Sequence, residues 1–276
     1  MKKRQNHSLF EKLSGSPYIV WSVLFIVAPL LFVAYFAFTD RNGSFTLENI
    51  LSLSAYSETF VMSLGFALIA TTICLVIGYP LAYCMSRTSE RTRSILLVLL
   101  MLPMWISLLI RTYSLMALLD NGGIVSTFLT RLGFEKLTFI GTDGAVILGM
   151  IYDFLPYMVL PIYTALIKLD NRYLEASADL GCNGLQTLFK VILPLTTPGI
   201  VSGVTMVFVP SISTFYISQK LGGGSFDLIG DTIERQFQNA VTYHTGAAIS
   251  LVMMILILIS LAIMNRFSDN EEEIIV

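Results

Sequence analysis

Two ionisable residues stand inside long apolar runs, Arg111 within 95–117 and Asp153 within 144–167. A charge in hydrocarbon is costly, so such residues either neutralise each other between helices or line a water-filled route. At about 1.5 Å per helical residue, Arg111 lies roughly 9 Å from one end of its run and Asp153 roughly 13 Å from the corresponding end of its own. The two can therefore share a depth. Ser211, Ser213 and Thr214, just past Pro210, fall in the same half of a further run, and Tyr157 lies one turn beyond Asp153 on its face. A carboxylate with aromatic faces, Asp153 with Tyr152, Tyr157, Tyr113 and Tyr216, is the set that offsets and cradles a flexible organic cation. Three readings stand open: a cation pathway, mutual neutralisation of Arg111 and Asp153, or, with Arg111 unpaired, a site for an anion such as sulfate or molybdate.

No nucleophile–base constellation accompanies them, so no catalytic residue is expected. His7 and His244 are far apart, and Cys74, Cys84 and Cys182 are too dispersed for a metal cage or an intrachain disulfide. Gly222-Gly223-Gly224-Ser225 lacks the Gly-Lys-Ser/Thr ending of a phosphate loop and reads as a hinge. Asp227, Asp231 and Glu234 read as a solvated acidic face, and Asp269–Glu273 as a short tail.

The elements that must position these residues follow from composition. Of 276 residues 55% are hydrophobic and 13% charged, with mean hydropathy +0.74, which excludes an ordinary soluble enzyme. Seventeen Lys+Arg against 19 Asp+Glu leave a net charge of −2 and no basic field for nucleic acid. Apolar runs near 18–38, 60–84, 95–117, 144–167, 196–217 and 245–265 are each long enough to cross a bilayer, giving an all-α protein with six transmembrane helices in a single domain, 1–276. The first run follows Lys2, Lys3 and Arg4 but is too long for a cleaved signal and reads as a retained span. Lys/Arg residues are denser on the side of the termini, which places both termini in the cytoplasm. Prolines 29, 80, 103, 156, 161 and 210 enter five of the six runs and demand that freed carbonyls be satisfied elsewhere. Gly199/Gly203 and Gly246/Ser250 have the spacing that brings helix backbones close.

Between the fourth and fifth runs, residues 168–195 read as two amphipathic turns. Asp170 or Asn171 can cap the first, Gly181 can end it in the left-handed conformation, Asn183 can cap the second, and Pro194 would end that one. Leu174, Ala178, Leu180, Leu185, Leu188 and Phe189 offer apolar knobs to a soluble partner.

Glu175-Ala176-Ser177, Gly181 six residues after the Glu, and Val191-Ile192-Leu193-Pro194 resemble the EAA signature of ABC importer permeases, Glu-Ala-Ala-x3-Gly-x9-Ile-x-Leu-Pro. Ser177 and Val191 depart from it by small changes of volume. The phrases Gly78–Tyr83, Leu109–Tyr113, Leu155–Tyr163 and Pro194–Ile200 are similar to polyamine (spermidine/putrescine) permeases of that family. The resemblance implies the type I importer permease fold and makes Glu175, Ala176, Ser177, Asp179, Gly181, Leu193 and Pro194 the segment that couples to an ATPase. It further implies a second permease subunit, a cytoplasmic ATPase dimer carrying ATP and Mg, an extracytoplasmic polyamine-binding protein, and no cofactor on this chain. A secondary transporter using Asp153 for ion coupling is the rival architecture.

Overall fold

The computed structural model describes residues 16–132 and 138–272. Lys2, Lys3, Arg4, His7, Lys136 and Glu273 lie outside them. Among the described residues the chain is helical, with one isolated bridge between Thr39 and Phe45. The helices are α1 (Pro17–Ala37), α2 (Ser57–Arg87), α3 (Glu90–Met101), α4 (Leu108–Leu119), α5 (Ile124–Arg131) and α6 (Asp143–Ile167). They continue with α7 (Asn171–Asp179), α8 (Gly184–Thr187), α9 (Thr197–Ser213), α10 (Tyr216–Leu221), α11 (Ile229–Gln238) and α12 (Tyr243–Glu272).

Four helical stretches are long and apolar enough to cross a membrane unaided, containing α1, α2, α6 and α12. Two bent pairs complete a count of up to six if each is one span. The run 95–117 is therefore not one straight helix. Pro103 sits in a 3₁₀ turn, Leu102–Trp105, and the chain bends by 95° before α4 begins. Proline cannot donate the next hydrogen bond, and the turn absorbs the defect. Arg111 lies beyond that bend, on the unbroken helix Leu108–Leu119. The run 196–217 also departs from expectation: it is bent by 68° at its entry, α9 stops at Ser213, Thr214 is extended, and Tyr216 opens a separate helix.

Two other prolines share one solution. The π turn Val23–Val27 closes with Ala28 N–H donating to Val23 O, immediately before Pro29. The π turn Leu188–Ile192 closes with Leu193 N–H donating to Leu188 O, immediately before Pro194. Widening the coil ahead of the ring moves the i−4 carbonyl that the ring would strike. Pro194 thus does not end the helical path, which runs on to Leu195 and turns at Thr196.

The chain falls into two compact units. In one, the described residues 16–56 join Ile233–Ile255, with Ala37, Ala247, Ala248 and Leu251 at its core and His244 Nδ1 3.0 Å from Phe36 O. The other, built on Ser57–Thr232, holds the larger core of Cys74, Met150, Met158, Ile162 and Val207. Within it the Gly199/Gly203 pair lies against α6: a Cβ at 203 would stand 2.9 Å from Met158 O, and one at 199 would stand 2.8 Å from Pro161 O. Only glycine permits that approach.

Asp231 departs from the solvated face expected of it. It is buried, and its Oδ2 accepts from Leu228 N at 2.8 Å at the head of α11. Asp269–Glu272 continue α12 instead of forming a loose tail.

Candidate functional site

The predicted polar ring separates into three places. The first is a buried ion pair: Arg111 Nη1 lies 3.1 Å from Asp153 Oδ1, with the residues 6% and 1% exposed. The same nitrogen donates to the Asp153 carbonyl at 3.3 Å, and Thr112 Oγ1 lies 3.5 Å from Asp153 Oδ2. Pro156, three residues on, cannot donate to the Tyr152 carbonyl, one helical bond that this stretch of α6 lacks. Arg111 Nε and Asp153 Oδ1 have no aligned hydrogen bond, so the pair is held by charge more than by a saturated network. Arg111 is therefore not an unpaired cation, and the condition for the anion reading is not met.

On the far face of α4 lies the second place. Tyr113, two residues from Arg111 and so turned away from it, is 49% exposed and meets the Tyr216 ring edge-on at 6.0 Å. Lys220 Nζ sits over both rings, 5.4 Å from the Tyr113 centroid and 5.7 Å from that of Tyr216. An ammonium already occupies the aromatic faces proposed for an organic cation. Lys220 was missed as a site residue, although it lies one helical turn past Tyr216 and that spacing could have found it.

The third place is a cavity of about 940 Å³ in the α6–α9 groove, running from Tyr157 and Pro161 past Ser202 to Lys168, Asp170 and Tyr173. It joins one predicted pathway residue to the root of the 168–195 segment. Tyr152 is exposed on another face. The hydroxyls of α9 turn inward on their own helix: Ser211 Oγ donates to Val207 O at 2.7 Å, and Ser213 Oγ to Val209 O at 3.2 Å. Thr214 is buried where α9 ends. Ser211, Ser213 and Thr214 do not complete a ring with Asp153.

The 168–195 segment is an elbow capped at both turns. Asp170 caps α7 by accepting from Arg172 N at 3.0 Å. Gly181 takes φ +79°, with Gly181 N–H donating to Ala178 O and Cys182 N–H to Ser177 O. Asn183 and Gln186 then form a reciprocal capping box at 2.9 Å in each direction. Ser177, the departure from the Ala of the signature, is buried and explained: its hydroxyl donates to Leu174 O at 2.8 Å and lies 3.1 Å from Thr187 Oγ1, tying the two arms together. Glu175, Ala176 and Asp179 are exposed, as are Leu180 at 84%, Leu185 and Phe189. Leu174 and Leu188 are not free knobs; they pack on the chain's own core. Leu193 is half-buried and Pro194 exposed at the far end of the arm.

The model of the family described as "binding-protein-dependent transport system inner membrane component" matches residues 8–271. The spermidine/putrescine transport system permease protein PotB of Haemophilus influenzae is 39% identical over 257 residues, covering 90% of each chain. PotB of Escherichia coli K12 is likewise 39% identical over 258 residues, covering 90% of this chain and 94% of that one. Among solved structures, a bacterial ABC transporter that imports the acidic polysaccharide alginate superposes with TM-score 0.74 at 18% identity, covering 92% of this chain and 93% of that chain. That likeness speaks for the fold. With its spans, its elbow and these relatives together, the chain belongs to the family of inner-membrane components of binding-protein-dependent transport systems.

Proposed function

We propose that this chain is a permease subunit of an ATP-driven importer for spermidine and putrescine, working as one transmembrane domain with both termini in the cytoplasm. The observation that carries the reading is the elbow, which keeps the full spacing from Glu175 to Pro194 and presents exposed acidic and apolar groups on a capped support. Such a body can transmit force from a soluble subunit; a flexible loop could not. The substrate class rests on the polyamine permeases that are 39% identical over nine-tenths of this chain.

Glu175, Ala176 and Asp179 meet the ATPase, whose subunits bind ATP and Mg, while Gly181 sets the elbow's angle and Leu193–Pro194 carry its motion into α9. A second permease completes the passage, and an extracytoplasmic binding protein delivers the polyamine. ATP-driven closure on one side and binding-protein docking on the other bias alternate openings. Tyr157 lies on the passage in the α6–α9 cavity, and Tyr113 and Tyr216 on its outer approach. Asp153, paired with Arg111, holds α4 to α6 beside the passage.

Uptake of labelled spermidine and putrescine by cells lacking the chain, with and without its restoration and with sulfate as control, tests the reading. Restored, ATP-dependent polyamine uptake is expected; restored sulfate uptake with none of polyamine would replace the substrate. Asp153→Asn leaves Arg111 unpaired and should depress assembly and flux together; lost flux at full assembly would instead place Asp153 on the route.

A further inference from the structure

A second, smaller cavity lies where the membrane helices meet the elbow. Its volume is about 300 Å³, and its wall includes Ser86 and Arg87 at the end of α2, Arg93 on α3, Leu166 and Ile167 at the end of α6, and Asn171, the first residue of α7. None of its lining residues is acidic. Neither arginine has an ion-pair partner among the described residues. Arg87 is exposed at the rim and lies over the Tyr83 ring at 5.2 Å, with no carboxylate beside it in the hollow's lining. Arg93 Nη2 caps the end of α2, donating to Ser86 O at 2.9 Å and Thr88 O at 3.4 Å, but its Nε is buried without a partner. Two guanidinium groups, a buried donor with no acceptor and the amino-terminal turn of a nine-residue helix thus converge on one polar hollow.

The nearby acids do not neutralise it. Glu90 is exposed on the first turn of α3 beside Arg91, and Asp170 is engaged in capping α7 and in a 3.8 Å pair with Arg172. The turn between α2 and α3 carries Arg87, Arg91 and Arg93 directly before an apolar stretch, the composition found at a membrane–water boundary, where headgroup phosphates lie.

We propose that this hollow is a phosphate-binding site that takes the headgroup phosphate of an anionic phospholipid at the root of the elbow. Arg93 Nε and the Arg87 guanidinium supply the donors, and Ser86 and Asn171 line the sides. An occupant there bridges α2, α3, α6 and α7, and so stiffens the joint through which the elbow moves.

Native mass spectrometry of the full transport complex, titrated with phosphatidylglycerol or phosphatidylcholine, tests the site. Selective phosphatidylglycerol retention is expected, with half-saturation raised about tenfold in Arg93→Gln and in Asn171→Asp. Because Arg93 also caps α2, Asn171→Asp is the safer variant: it places a carboxylate in the hollow at a helix start, where negative charge is tolerated. Inorganic phosphate binding that is lost in the same variants, without lipid selectivity, would keep the phosphate chemistry and overturn the lipid source. Equal retention of both lipids in wild type and variants, with no phosphate binding, overturns the site. Complete exclusion of the lipid by the ATPase would overturn it too, assigning the arginines to a subunit interface.

Discussion

The elbow and the buried pair solve opposite problems with polar groups. In the elbow every fixed polar contact is local: Asp170 reaches Arg172, Asn183 and Gln186 bond each other, and Ser177 and Thr187 lie ten residues apart. Arg111 and Asp153 instead meet across 42 residues, between α4 and α6, where water cannot replace either partner. The elbow's polar contacts are therefore made within itself while Leu174 and Leu188 seat it on the core, whereas the pair fixes two helices to each other. Local bonds suit a moving joint, and a desolvated long-range pair suits a fixed post.

Removing one half of the post should have the largest effect. Asp153→Ala leaves the Arg111 charge buried and alone, and is expected to cost about 3–5 kcal/mol of stability. Melting of the purified complex measures it, and Asp153→Leu with Arg111→Leu should recover at least half the loss. A purely additive double variant would break the comparison by showing that the two residues do not act as a pair.

Next is the α6–α9 contact. Gly203→Leu drives a side chain against the Met158 carbonyl and sulfur and should cost about 1–3 kcal/mol, read by the same melt. Gly181→Val meets no neighbouring atom but forces a branched residue to φ +79°, at about 1–2 kcal/mol. It should leave membrane insertion intact while removing the ATPase in pull-down, most completely when joined to Glu175→Ala. Retained ATPase would sink the assignment of the elbow as the coupling element.

Smaller effects sharpen the picture further. Ser177→Ala strips the hydroxyl that ties the two arms and should cost about 1 kcal/mol. A slower uptake at unchanged ATPase association would place its role in force transmission. Lys220→Met frees the faces of Tyr113 and Tyr216 and should leave melting unaltered while raising polyamine uptake at low substrate about twofold. No change would remove those rings from the route.

The elbow was legible because its causes are short-ranged. Asp170, Gly181 and Asn183 each sit where a cap or a left-handed residue is required, and each does so whatever surrounds them. Apolar runs near 18–38, 60–84, 144–167 and 245–265 were equally readable, because crossing length depends on composition alone. The breaks were harder. Pro103 marked the third run but did not say whether a kink or a 95° bend would follow, since that depends on what packs beyond it. The polar ring failed for a related reason: equal depth in the sequence says nothing about rotation, and rotation turned Ser211 and Ser213 onto their own helix.

By itself, then, the sequence determined that this chain lives in lipid, that its backbone must be helical there, and that residues 168–195 form a capped elbow with the spacing of the family signature. Those properties follow from summed hydrophobicity and from contacts a few residues long. Only the tertiary structure decided that Arg111 is neutralised by Asp153, that Lys220 covers Tyr113 and Tyr216, and that two arginines close on a hollow beside the elbow. Each of these joins helices distant in the chain, and their relative rotation is set by packing, such as the Gly203–Met158 contact, that no local pattern encodes.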